Sequence, residues 1–445
     1  MKNWLQKWTS KATAPVQVPD ITLGRYSDAY RLEDNLRAWE AAMQAYESGN
    51  YLLAYRHFFQ FLRDEKEDNV RVEEKNGVLY FELIQGSKSV RGQADRHKLT
   101  AVAKICRTTQ LQAGYMRRML EKNFSLKYCR YALDGDDVIC MVFNTYNADG
   151  APYKLYQALR ELAINADKQD DLLLDEFKDS LKVVEQLPQQ QMSAHEQLAK
   201  YEFTISSIHR VLDLVEKGKL PPEQFPGACS YLLLSLAYKL DFLVKPEGFM
   251  METLERIHRT YFEKNDTVNI EKNKLLCSEY KKLLARSKED YFKEFYSTKA
   301  TFGITSPENH NRVAVFIETE VHNMDWYQEH GHAEVALAIA DYIVGFCLFN
   351  FAILKPDRDL FKLYYQITVP HFFESLGFRP IFYDFLTHSF DKQAIRQALQ
   401  DIKSTHLNQY PQLQPDIRSL QFDDLATFAK SFLLMVKDLD LSASK

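Results

Sequence analysis

The chain has 445 residues, of which 46% are hydrophobic, 26% charged and 13% aromatic, and its formal net charge is -5. That length exceeds one ordinary core, so two domains are expected, with enough apolar residues to bury both. The slight acidity excludes a global attraction to nucleic-acid phosphates. With 15 glycines and 14 prolines, the composition disfavours a turn-rich sandwich and suits a mainly helical protein. Cys106, Cys129, Cys140, Cys229, Cys277 and Cys347 stand apart with no CxxC or CxxH spacing. The first residues lack the apolar stretch of a signal peptide, and together these features read as a reduced, cytoplasmic protein.

In chain order, MKNWLQKWTSKATAP places Trp4, Leu5 and Trp8 on one side of a short helix, ringed by Lys2, Lys7 and Lys11. The pattern fits a strap that packs its tryptophans on the body, or a peripheral membrane contact through Trp4 and Trp8. Pro15 and Pro19 keep the chain extended, so residues 1–33 read as a tail. From Asp34, Leu36, Trp39, Met43 and Tyr46 recur at helical steps; Gly49-Asn50 interrupts them, and Leu53, Ala54, Phe58 and Phe61 resume. This helical hairpin resembles one tetratricopeptide repeat, without the further copies a solenoid needs.

Residues 69–74 and 78–84 flank Lys75-Asn76-Gly77, and Asn-Gly between β-prone runs predicts a hairpin because both residues tolerate positive φ. Alternation over 99–105 predicts a third strand. Leu111, Tyr115, Met119 and Leu120 predict a helix over 110–122, and two strands over 126–133 and 138–144 are joined by Asp134-Gly135-Asp136-Asp137. An amphipathic helix over 152–180 closes the unit.

The expected order is helix, three strands, helix, two strands, helix. With strings such as FELIQGSKS and PYKLYQALRELAINADKQDDLLLDEF, it resembles the YbjN-like domain, which has the type III secretion chaperone-like fold; the chain also resembles uncharacterised bacterial proteins that append a helical half to this domain. The resemblance implies an α+β fold and protein-binding or chaperone-adaptor behaviour, and it supplies no catalytic residues. The α+β domain is expected over 34–185, and a Pro/Gln-rich linker over 186–193. An all-α domain follows over 194–445, punctuated by Gly218, Pro221, Pro246, Gly303, Gly331 and Pro356.

Chemistry-bearing clusters are sparse. The run VALAIADYIVGFCLFNFAIL from Val335 is long enough to span a bilayer, but Asp341 and Asn350 make lipid burial expensive, and it reads as a buried central helix. The run over 225–244 contains Lys239 and Asp241 and is less membrane-like. Glu318, His322, Asp325, His330 and His332 include possible metal ligands but lack HExxH spacing and read as surface residues. Gln85-Gly86-Ser87-Lys88-Ser89 lacks the first glycine of a phosphate loop and reads as a bent strand or hairpin. Asp167, Asp170, Asp171, Asp175 and Glu176 read as a solvated acidic face.

No cofactor, metal or catalytic site emerges, and the expectation is a non-enzymatic adaptor with a protein or peptide partner. Strand alternation sends Leu79, Phe81 and Leu83 to one face and Tyr80, Glu82 and Ile84 to the other. Tyr80 and Ile84, with Tyr128, are the candidate partner-binding residues. The alternatives are an enzyme or small-ligand-binding protein with its site in the helical half or the domain seam, and a peripheral membrane scaffold.

Overall fold

The computed structural model describes residues 18–64, 67–177, 179–184, 187 and 190–443. The expected tail helix with Trp4 and Trp8, and part of the expected linker, lie outside the described residues. Gly49, at φ 76°, makes the turn between α1 (Glu33–Glu47) and α2 (Tyr51–Leu62), and the Asn50 side chain caps α2 by accepting from Leu53 N.

An antiparallel sheet follows, of β1 (Val70–Lys75), β2 (Val78–Gln85), β3 (Lys88–Ala94), β4 (Lys98–Thr108), β5 (Arg130–Leu133) and β6 (Val138–Tyr146), in the spatial order β1-β2-β3-β4-β6-β5. The helix α3 (Ala113–Ser125) connects β4 to β5, α4 (Pro152–Glu176) packs behind the sheet, and β7 (Leu181–Val183) pairs with the end of β4. The α+β half is therefore as expected, with two strands more, β3 and the short β7. β3 has the sequence KSVRGQA, too polar to announce itself, and forms because β2 and β4 bond it on both sides. Even Lys88 is buried there, its ammonium donating to the carbonyls of Ile105 and Val184 at 2.8 and 3.1 Å.

Alternation divides the sheet into two faces. Leu79, Phe81, Leu83, Leu99, Ala101 and Ala103 form one core with α2 and α4, and Phe59 stacks on Phe81 at 4.4 Å. The other face, carrying Tyr80, Arg91, Gln93, Val102 and Asn144, is open to solvent, as antiparallel sheets allow.

The second half is helical: α5 (Ala194–Lys217), α6 (Pro226–Val244), α7 (Gly248–Phe262), α8 (Asn269–Leu284), α9 (Lys288–Glu294), α10 (His310–Val321), α11 (Asn323–Glu329), α12 (Ala333–Asn350), α13 (Lys355–Thr368), α14 (Pro370–Ser375), α15 (Lys392–His406) and α16 (Leu425–Lys437). At its centre α6 packs on α12 so closely that a Cβ at Gly345 would stand 2.6 Å from the Cβ of Tyr238. Both helices have the length and apolarity of membrane spans, and both are mostly buried inside this half. The long apolar run does not stay helical to residue 354: α12 ends at Asn350, and Phe351–Ala352 pairs in parallel with Ser306–Pro307.

The charges inside these helices are partnered. Lys239 of α6 forms an ion pair with Asp341 of α12, and Tyr364 donates to the other Asp341 oxygen at 2.8 Å. Asp241 binds Arg25, a residue from the segment expected to be a tail.

That segment is a strap on the helical half. Leu23 joins the helical core, Gly24 N donates to Phe242 O at 2.7 Å, and Tyr30 donates to Ile353 O at 2.7 Å. A second strap runs the opposite way. Residues 299–304 leave the helical half and lie on the sheet domain, where Gly86 N donates to Lys299 O and the buried Gln85 amide bonds the backbone of Thr301 and Phe302. Phe302 belongs to the sheet domain's core.

Because each half holds a strap of the other, cleavage within residues 186–193 is expected to leave both fragments eluting together in native size-exclusion chromatography, separating only in denaturant. Elution as two independent species would contradict the strap exchange. Asp341→Asn is expected to cost about 3 kcal/mol or more because it strands a largely buried Lys239, while the double variant Lys239→Met/Asp341→Asn recovers most of that loss in urea melts.

Candidate functional site

The residues of α3 divide between two apolar stripes. Tyr115 anchors the inner one: its hydroxyl lies 2.5 Å from Thr108 Oγ1 and donates to Gln110 O at 2.7 Å, while its ring meets Phe177 edge-on at 5.8 Å. Arg118 pairs with Glu176 on α4, and Met119 packs on the core. The outer stripe, Met116, Leu120 and Phe124, recurs every four residues and is left uncovered, with Leu120 69% and Phe124 96% exposed. It spans about 12 Å of helix.

The sheet edge beside this stripe is held in place by polar contacts. Asn123 Oδ1 accepts from Tyr131 N at 2.7 Å, which ties the end of α3 to the edge strand β5. Glu161 of α4 accepts the successive backbone N–H groups of Lys127, Tyr128 and Cys129 at 2.8 to 3.0 Å. Leu111, Tyr128 and Leu133 add further exposed apolar area along the same stretch of chain. Exposed apolar area concentrated in one segment marks an interaction surface more strongly than scattered single residues do.

The expected site residues do not form one surface. Tyr80 is 42% and Tyr128 38% exposed, but Ile84 is only 5% exposed. Ile84 sits where β2 meets the second strap: its carbonyl accepts from Thr301 Oγ1 at 2.8 Å and its N–H donates to Asn69 O. Its assignment to an open binding face is corrected accordingly, since alternation sets the face but not what another part of the chain lays over it. Tyr80 lies on β2 in one row with Gln93, Thr100 and Asn144, whereas Tyr128 precedes β5, the strand at the far edge of the sheet. The stripe of Met116, Leu120 and Phe124 was missed because Leu111, Tyr115, Met119 and Leu120 together make one helical pattern, which defined the helix without separating its two faces; the four-residue spacing of the stripe was the available signal.

A second candidate lies in the seam between the halves, where a cavity of about 150 Å³ opens beside a chain of buried charges. Arg25 grips Asp241 at 2.5 Å and Glu255 at 3.1 Å, and its guanidinium lies 4.5 Å over the Phe349 ring. Lys168 from α4 pairs with both Glu255 and Glu252, and Arg259 pairs with Glu252 at 2.5 Å. Burial pushes the carboxyls of Glu252 and Glu255 up, but these cations outweigh it and hold both below the usual carboxylate value.

Other clusters have structural partners. Glu318 pairs with Lys437 at 2.7 Å and Asp325 with Lys430, leaving His322 3.8 and 3.6 Å from those carboxylates, while His330 and His332 stack on Trp326. Among the described residues, no group of three or more ligating side chains is placed to hold a metal ion. The segment Gln85-Gly86-Ser87-Lys88-Ser89 contains the β2–β3 turn. Gly86, at φ 56°, leaves room for the Asp167 carboxylate, which accepts from Ser87 N at 2.7 Å. The turn thus meets an anion of the chain itself. Of the other acidic residues, Glu176 pairs with Arg118, and the side chains of Asp170, Asp171 and Asp175 lie outside the described residues.

Beside the seam, His258 Nδ1 lies 2.8 Å from the Tyr238 hydroxyl, among the rings of Phe262 and Phe349. Burial, with Arg25 and Arg259 nearby and only Glu255 opposing, pulls its value from 6.5 down to about 4. The unfolded chain therefore takes up this proton first, and the stability present above pH 6.5 is lost as pH falls toward about 4. Thermal midpoints should fall more steeply from pH 7 to 5 in the wild type than in His258→Gln; equal slopes would show that the imidazole does not titrate this way. Compared with family models and with curated proteins, the chain finds no match.

Proposed function

We propose that this protein is a non-enzymatic, cytoplasmic protein-binding adaptor that receives an amphipathic helix of a partner protein on the surface of α3 and β5. The observation that carries the reading is the stripe of Met116, Leu120 and Phe124, uncovered on a helix whose opposite side is anchored by Tyr115. Three apolar positions at four-residue spacing match the facing stripe of another helix. The surroundings are mixed in charge, with the ion pair of Arg117 and Glu121 on α3 and Asp134, Asp136 and Asp137 beyond β5. A mixed rim suits a protein partner better than an anionic membrane, which calls for a basic one. The resemblance to the YbjN-like domain and its chaperone-like fold supports the same reading, and the six scattered cysteines, without CxxC or CxxH spacing, are consistent with a reducing compartment.

The double variant Leu120→Ser/Phe124→Ser tests this function. Both side chains are exposed, so the thermal midpoint should move little, while capture of the partner, measured by quantitative pull-down and repeated with the purified partner, should fall at least about tenfold. Tyr80→Ser should leave capture unchanged. Undiminished capture by the double variant would overturn the assignment. Concentration-dependent dimerisation of the wild type that the same variant abolishes would identify the occupant as a second copy of the chain.

A further inference from the structure

The seam cavity is built from both halves, with the Gln85-Gly86 turn and α4 on one side and the segments around Lys245 and Thr298 on the other. Most of its charged groups are satisfied. Arg25, Asp241, Glu255 and Lys168 neutralise one another, and Asp167 accepts from Ser87. Two are not. The Lys245 ammonium has no ion pair or hydrogen bond among the described residues, and the Glu247 carboxylate has a single donor, Thr298 Oγ1 at 3.1 Å, with no cation in ion-pairing range. Burial holds Glu247 above its usual carboxylate value, with Lys245 the leading opposing influence. These two groups of opposite sign flank Pro246 and line one small space, beside apolar walls from Ile164, Met251 and Phe302.

We propose that this cavity binds a small zwitterion of the aliphatic α-amino-acid class. The ligand's carboxylate would pair with Lys245, its ammonium with Glu247, and its short side chain would contact the apolar wall. A cavity of about 150 Å³ holds roughly six heavy atoms, the size of alanine, and modest relaxation would admit valine. Because the walls come from both halves, an occupied site adds contacts across the seam and stabilises their association.

Titration calorimetry and thermal unfolding of the full chain with L-alanine and L-valine test the proposal. Binding of at least one of them is expected, with the midpoint raised by several degrees at saturation. Lys245→Met and Glu247→Gln should each weaken binding by about tenfold or more, the usual effect of losing a charge-assisted hydrogen bond. On the wild type, isobutyrate and isobutylamine, each carrying one charge, should bind at least about tenfold more weakly than valine, a comparison that stands even where a variant fails to fold. Absence of binding by both amino acids at millimolar concentration, unchanged affinity in folded forms of the two variants, or isobutyrate binding as tightly as valine would overturn it. None of these results depends on the α3 surface.

Discussion

The buried guanidinium of Arg25 is the constraint on which the relation of the two halves depends. A cation removed from water must keep its counter-charges close, and Asp241 and Glu255 supply them from α6 and α7. Glu255 is shared with Lys168 of α4, so one continuous charge network ties the N-terminal strap, the helical half and the sheet domain together. No member can leave without stranding another in a poorly solvated place. The strap exchange follows the same logic in apolar terms: Leu23 and Phe302 are each buried in the core of the half to which they do not belong by sequence.

The same principle explains two helices that resemble membrane spans. A hydrophobic helix can form the centre of a fold when its few charges find partners inside that fold. Here Lys239 and Asp341 find each other across the contact of α6 with α12, and Asp241 finds Arg25. The close approach at Gly345 brings the two backbones near enough for that pairing. Charges that would be costly in lipid therefore serve as specific links between helices.

What the packing leaves uncovered is as informative as what it buries. An antiparallel sheet needs helices on only one face, and here α2 and α4 supply them. The open face is dominated by polar and charged side chains and needs no partner. The outer stripe of α3 is different, because its apolar side chains gain nothing from water and α3 is already secured by Tyr115, Met119 and Arg118. Surplus apolar area on an anchored helix beside a sheet edge is what a recognition surface requires.

Much of the local structure was legible in the residues. The Asn76-Gly77 turn, the alternation in β2 and the helical spacing of the second half state their elements directly, because backbone sterics and hydrophobic period act over a few residues. The strand β3 was not legible: KSVRGQA has little β character of its own and is a strand because two neighbours bond it. The candidate site was legible only in part. Tyr80 and Tyr128 are exposed, but Ile84 lies beneath the level at which alternation can judge, at the strand end where Thr301 arrives from more than two hundred residues away. The sequence alone determined the α+β half, the helical half and the faces of the strands. Tertiary structure decided which charges pair, which strap lies on which core and which apolar stripe stays in water, because those outcomes depend on contacts between residues that no local pattern connects.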